Sequence, residues 1–218
     1  MKTQFKTLIF ILLSLALTAC SQTNALNKLS LTAEYKTIVH DNVIKAAHQK
    51  HIADNGGQDG HYSINNRLKN LTKRIIKANG LTDKNIEVIL LKSTSVNAYS
   101  LSSKSHLAYV YVTRGLVEFV ANDDQLAAVL AHEIAHIALG HHLKRQAGSS
   151  NQFNQSQELE ADQHSIKLLK KSNFKLAETI KLLERLDIFQ AEQKFLNQAD
   201  YPTNKKRIEN LSDVIAGI

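Results

Sequence analysis

The clearest hydrophobic pattern lies near the middle of the chain, where residues 126–139 comprise eleven apolar and three polar residues. A stretch this apolar predicts a buried helix that extends to about residue 144. Asn122 is a suitable N-cap, and Gln125 follows three residues later, as in a capping box. The three polar residues inside the run are ionisable. Burying them is costly unless each has a partner.

Weaker patterns on either side predict further elements. Upstream, apolar periodicity predicts helices over 31–51 and 63–79, strands over 86–91 and 107–112, and a short helix over 113–120. Downstream, a polar stretch over 146–157 reads as a linker, followed by helices over 157–171, 175–193 and 204–216. Together they predict one α+β domain over 31–218, mostly helical, with a small sheet packed beside the central helix.

The N-terminus has the composition of a bacterial lipoprotein signal. Lys2 and Lys6 precede an apolar run over 8–17, and small residues then lead to Cys20. The run is short for a transmembrane anchor, which is the alternative interpretation. We therefore expect a signal peptide over 1–19, lipidation of Cys20 and a tether over 20–30. Ser21 after the cysteine indicates the periplasmic face of the outer membrane.

Composition narrows the possible chemistry. Cys20 is the only cysteine in the chain, so neither an internal disulfide nor a catalytic thiol is available to the domain. The formal net charge is +7, and removal of Lys2 and Lys6 leaves +5. This charge is spread along the chain without interleaved aromatic residues, so we expect no nucleic-acid partner.

The ionisable residues of the central helix have the spacing of a zinc site. His132 and His136 are four residues apart, a rotation of about 400°, so both imidazoles lie on one helix face. Glu133 is rotated about 100° from His132, which suits a general base beside the metal. The spacing predicts one zinc ion per chain, bound by both histidines, with Glu133 as the base.

A catalytic zinc site needs a third protein ligand, and the sequence offers two candidates. Glu158 and Asp162 share a face of the next predicted helix, where Glu158 would bind zinc and Asp162 would accept a hydrogen bond from a ligating histidine. His142 is the rival, as in zinc peptidases whose third histidine lies ten residues after the first. Those need glycine where Leu139 stands, so the spacing favours Glu158.

The motif His132-Glu133-x-x-His136, together with the Glu158 to Asp162 segment, resembles the gluzincin family that includes the HtpX and CAAX prenyl proteases. The likeness covers about residues 60–215, and it is closest to lipoprotein members without additional membrane spans. Further similarity lies in residues 96–99, 110–116 and 201–207.

This resemblance implies a zinc endopeptidase whose protein or peptide substrate lies along an edge strand beside the active-site helix. We expect Tyr109, Val110 and Tyr111 to form this substrate-binding strand. Tyr201 departs from the family pattern, which has histidine there. It could donate a hydrogen bond to the oxyanion or be a packing residue. Arg207 is expected to form an ion pair, with an acidic residue of the predicted helix over 157–171 as its candidate partner.

The expected function is cleavage of unfolded or misassembled envelope proteins in the periplasm, with the lipid anchor holding the enzyme at the outer membrane. The alternative is a zinc-stabilised chaperone or assembly factor with little turnover. Retention of Glu133 argues against the alternative, because a structural metal site does not need a base. The polar stretch over 146–157 is a candidate lid over the cleft.

Overall fold

The structure is a computed structural model, which describes residues 38–103, 105, 107–142, 151–192 and 202–218, without the side chains of 151–153. The chain divides into two compact units, residues 1–43 and residues 44–218. Residues 38–43 of the first unit are helical. The metal-binding motif and all the elements below belong to the second unit.

The second unit is mostly helical and contains one small sheet. Residues 44–54 form helix α1. The elements that follow are α2 (Tyr62–Ala78), β1 (Asn85–Leu91), β2 (Ala98–Ser102), β3 (Leu107–Thr113), α3 (Arg114–Phe119), α4 (Asp123–Ala138), α5 (Asn151–Lys171), α6 (Ala177–Glu192) and α7 (Asn204–Ala216). The α+β class, mostly helical with a small sheet, is confirmed.

Three differences from the sequence prediction bear on the candidate site. Strand β2 was not predicted, because its five residues include two serines and lack a β-branched side chain. Helix α4 ends at Ala138 rather than near residue 144, since Gly140 adopts a left-handed φ of 67° that stops the helix. Helix α5 begins at Asn151, inside the predicted linker, because its glutamines are good helix formers despite their polarity.

The sheet has the strand order β1-β3-β2. Strand β1 runs parallel to β3, whereas β2 runs antiparallel to it, with Ser100 opposite Val110. Strand β3 therefore has a hydrogen-bonded neighbour on both sides, and β2 forms one edge of the sheet. This arrangement leaves the edge strand, rather than the central one, next to the motif helix.

Helix α4 forms the centre of the hydrophobic core. Leu126, Leu130 and Ile134 are fully buried and belong to a cluster that also includes side chains from α2, α5, α6 and one face of the sheet. A second cluster on the other face joins α1 to the sheet through Ile44 and Tyr111. Among the described residues, no helix combines the length and apolar character needed to cross a bilayer.

Candidate metal centre

Helix α4 presents both motif histidines to the same point. Its start is fixed because the Asn122 side chain accepts a hydrogen bond from the backbone N–H of Gln125, at 3.0 Å. Two and a half turns later, the Nε2 atoms of His132 and His136 lie 3.1 Å apart. Two nitrogen lone pairs at this distance repel unless a proton or a metal cation lies between them.

The third donor comes from α5. Oε2 of Glu158 lies 3.2 Å from Nε2 of His132 and 3.4 Å from Nε2 of His136. Ligands of a tetrahedral zinc ion at about 2.0–2.1 Å are separated by about 3.3 Å. The three donors thus have the spacing of one face of a zinc coordination tetrahedron, and their chemistry suits the ion. The predicted set His132, His136 and Glu158 is brought together and fits one zinc ion.

The electrostatics of this cluster favour a positive charge at its centre. Burial lowers the pKa of His132, but the carboxylates of Asp162 and Glu158 outweigh this effect and raise the pKa to about 10. Burial raises the pKa of Glu158, yet its contacts with the two histidines hold that pKa well below its usual range. A zinc ion would take the place of the shared proton.

A carboxylate supports His132 from behind. Oδ1 of Asp162 lies 2.9 Å from Nδ1 of His132, at ion-pair distance but without the alignment of a hydrogen bond. The guanidinium of Arg207 donates two hydrogen bonds to Asp162, at 2.7 and 2.8 Å. Burial raises the pKa of Asp162, but Arg207 lowers it to about 2. The expected ion pair of Arg207 is present, with Asp162 of α5 as the partner, and it fixes Asp162 beside the site.

His136 has its own support, which the sequence did not reveal. Nδ1 of the fully buried His141 lies 2.9 Å from Nδ1 of His136, and its Nε2 lies 3.2 Å from Oε2 of Glu160. If Nε2 of His136 binds metal, its Nδ1–H donates to His141, which in turn donates to Glu160. In the sequence, His141 lies only near the end of the predicted helix, and no spacing there indicates this contact.

Glu133 lies beside the donor set rather than within it. Its side chain is buried, and its Oε2 accepts a hydrogen bond from the hydroxyl of Ser100 on β2, at 2.7 Å. His142, the rival third ligand, places its Nε2 3.1 Å from the same hydroxyl. His142 is thus directed to Ser100, and Glu158 takes the place of third donor.

The site opens into a cleft of about 450 Å³. The donor set, Glu133 and residues 96–100 contribute to one part of its lining. The rest of the lining includes an apolar wall formed by Leu116, Val129, Leu182, Leu183 and Leu186. The cleft can therefore accept an apolar side chain next to the reactive groups.

The substrate strand predicted from sequence is corrected by the sheet. Tyr109, Val110 and Tyr111 are buried in β3, whose backbone is paired on both sides and cannot bind another strand. The alternating apolar pattern of β3 marked a strand without showing its place in the sheet. Strand β2, with Ala98 and Ser100 in the lining of the cleft, is the edge beside the metal site.

Several sequence predictions fall wholly or partly outside the described residues. Outside them lie the signal peptide over 1–19, Cys20, the tether over 20–30 and Tyr201, so these stay predictions. Of the proposed lid over 146–157, the described residues begin at 151, where they are already part of α5.

Comparisons with known proteins agree with this geometry. Residues 63–155 match the family model of peptidase family M48, and residues 119–217 match that of peptidase U49. The two matches overlap on α4, which carries both motif histidines. The second match also contains Glu158, Asp162 and Arg207.

A relative and a solved structure show similarity over part of their lengths. The mitochondrial metalloendopeptidase OMA1 of Schizosaccharomyces pombe (strain 972 / ATCC 24843) is 26% identical over 177 residues, covering 67% of this chain and 51% of that protein. The crystal structure of S. mikatae Ste24p has a TM-score of 0.47 at 15% identity, covering 63% of this chain and 49% of that chain. This chain thus matches about half of each.

Proposed function

We propose that this chain is a zinc-dependent endopeptidase of peptidase family M48 that acts on proteins or peptides, and the family-model match over residues 63–155 supports the proposal. The observation that carries the proposal is the convergence of His132, His136 and Glu158 from two helices, with Glu133 beside them. A purely structural zinc site is closed by four protein ligands. Here three donors converge at the wall of an open cleft, which leaves room for water and substrate.

Each residue of the site has a separate role in peptide hydrolysis. Bound zinc supplies positive charge that acidifies a water molecule and polarises the scissile carbonyl. Glu133 accepts the proton of the attacking water and returns it to the departing amine. Arg207 holds Asp162 in place, and Asp162 in turn orients His132. The edge strand β2 offers backbone N–H and C=O groups to an extended substrate.

Cleavage of unfolded casein tests this function. Glu133→Gln should keep one zinc per chain but lower the cleavage rate about 10²–10⁴-fold, since it removes only the base. Glu118→Gln changes an exposed side chain on α3 and is the matched control, expected to cleave like wild type. Equal cleavage by Glu133→Gln and wild type would contradict the mechanism. A zinc-stabilised chaperone would instead retain its function in the cell with Glu133→Gln.

We further propose that the enzyme is lipid-anchored at the periplasmic face of the outer membrane and removes unfolded or misassembled envelope proteins. The support is the sequence around Cys20, with its basic start, apolar run and small residues before the cysteine. Cys20→Ser should move the protein from the membrane fraction to the periplasmic fraction. Continued recovery with membranes would contradict lipid anchoring at this residue.

A further inference from the structure

The hydroxyl of Ser100 connects the edge strand to the proposed base. Ser100 is 8% exposed and donates to Oε2 of Glu133 at 2.7 Å. The hydroxyl of Ser100 donates this hydrogen bond, and the carboxylate oxygen accepts it. The bond constrains one oxygen of Glu133 and with it the rotamer of the whole carboxylate.

His142 orients this hydroxyl from the other side. Its Nε2 lies 3.1 Å from Oγ of Ser100. Because the hydroxyl proton is directed to Glu133, His142 must act as the donor, which requires the tautomer with a proton on Nε2. The result is a chain of donors that runs from His142 through Ser100 to Glu133.

The main chain of Ser100 faces the free side of the sheet. The backbone N–H of Thr113 donates to the carbonyl of Asn97, and that of Ser103 donates to the carbonyl of Leu107. In an antiparallel pair, the residues whose backbone groups face the partner strand alternate along the chain. Residues 97, 99, 101 and 103 thus bond to β3. Ser100 directs its N–H and C=O away from β3, towards the open edge.

We propose that Ser100 is a positioning residue that couples substrate binding to the orientation of the base. Its backbone pairs with a substrate strand laid along β2, while its hydroxyl holds Oε2 of Glu133. The other carboxylate oxygen, Oε1, is then directed to the proton of the attacking water. The substrate and the base are thereby aligned by one residue. This inference rests on the proposed peptidase function and adds a determinant of its turnover.

Steady-state kinetics on a peptide substrate with the zinc-loaded enzyme test the coupling. Ser100→Ala keeps the backbone that binds substrate but removes the hydroxyl. It should therefore lower kcat about tenfold while KM stays within about twofold, as expected when a hydrogen bond to a charged group is lost. Ser100→Thr retains a hydroxyl and should recover most of kcat. The zinc content of Ser100→Ala should match wild type.

The control variant is Ser172→Ala, which removes another buried hydroxyl, one that donates to the carbonyl of Leu168 and lies outside the cleft lining. It should leave kcat and KM unchanged. A crystal structure of Ser100→Ala should show the Glu133 carboxylate displaced or in more than one rotamer.

The other possible outcomes distinguish a failure of the proposed coupling from a failure of the proposed peptidase function. Unchanged kcat in Ser100→Ala, or a rise in KM alone, would overturn the coupling while leaving the peptidase function intact. A Glu133 carboxylate that keeps its position in that variant would also overturn it. A wild-type enzyme without activity would instead overturn the proposed function, and the coupling with it.

Discussion

At the scale of single residues, the sequence predicts what is local and misses what the fold brings together. His132 and His136 are one helical turn apart, so their convergence follows from helix geometry alone. Glu158 approaches them from another helix, and its assignment depended on the resemblance to a family as well as on spacing. His141 and Ser100 contact site residues, yet neither lies in a sequence pattern that identifies its role.

The contacts of single side chains also explain why His132, His136 and Glu133 can be buried. Each of the two imidazoles has a carboxylate within reach on its far side, directly for His132 and through His141 for His136. Glu133 has the hydroxyl of Ser100. Such partners reduce the cost of placing ionisable groups inside an apolar helix. The cost of burying ionisable residues in the central helix is thus reduced by residues from three other segments.

At the scale of elements, the sheet shows the limit of reading strands from hydrophobic alternation. Strand β3 is strongly apolar because both of its faces are buried. Strand β2 has five residues, two of them serines, so its hydrophobic pattern is much weaker. Some side chains of β2 line the cleft instead of packing in the core, so serines are accommodated in place of bulky apolar residues. Its place at the edge depends on pairings between segments that are distant along the chain, which local patterns do not encode.

Another link between elements gives a stability prediction. Arg207 of α7 holds the buried Asp162 of α5, so Arg207→Met would leave a buried carboxylate without its cationic partner. We expect the free energy of unfolding to fall by about 3–5 kcal/mol. Urea denaturation of the zinc-loaded protein measures this loss.

The matched control is Arg67→Met, which breaks a more exposed ion pair with Asp123. Its loss should stay below about 1 kcal/mol, because water screens exposed pairs. Equal losses in the two variants would show that the contact between α5 and α7 does not depend on the charge of Arg207.

At the scale of the whole molecule, the fold brings residues from separate parts of the chain together in one site. Helix α4 gives two donors and the base, α5 gives the third donor, α7 gives the arginine behind it, and β2 gives the edge strand. The sequence predicted the α+β class and most helices, because their periodicity is strong. It did not predict the order of the strands, which depends on long-range contacts.

The central claim is that α4 and α5 together provide the three protein ligands of one zinc ion. Its most direct test is the zinc content of variant proteins. After dialysis in a zinc buffer, wild type and the control Glu118→Ala should each hold one zinc per chain. Glu158→Ala should bind zinc more than about 100-fold more weakly, since it loses a ligand and not merely a supporting contact. Full zinc occupancy in Glu158→Ala, with wild-type affinity, would contradict the account and assign the third ligand to another residue.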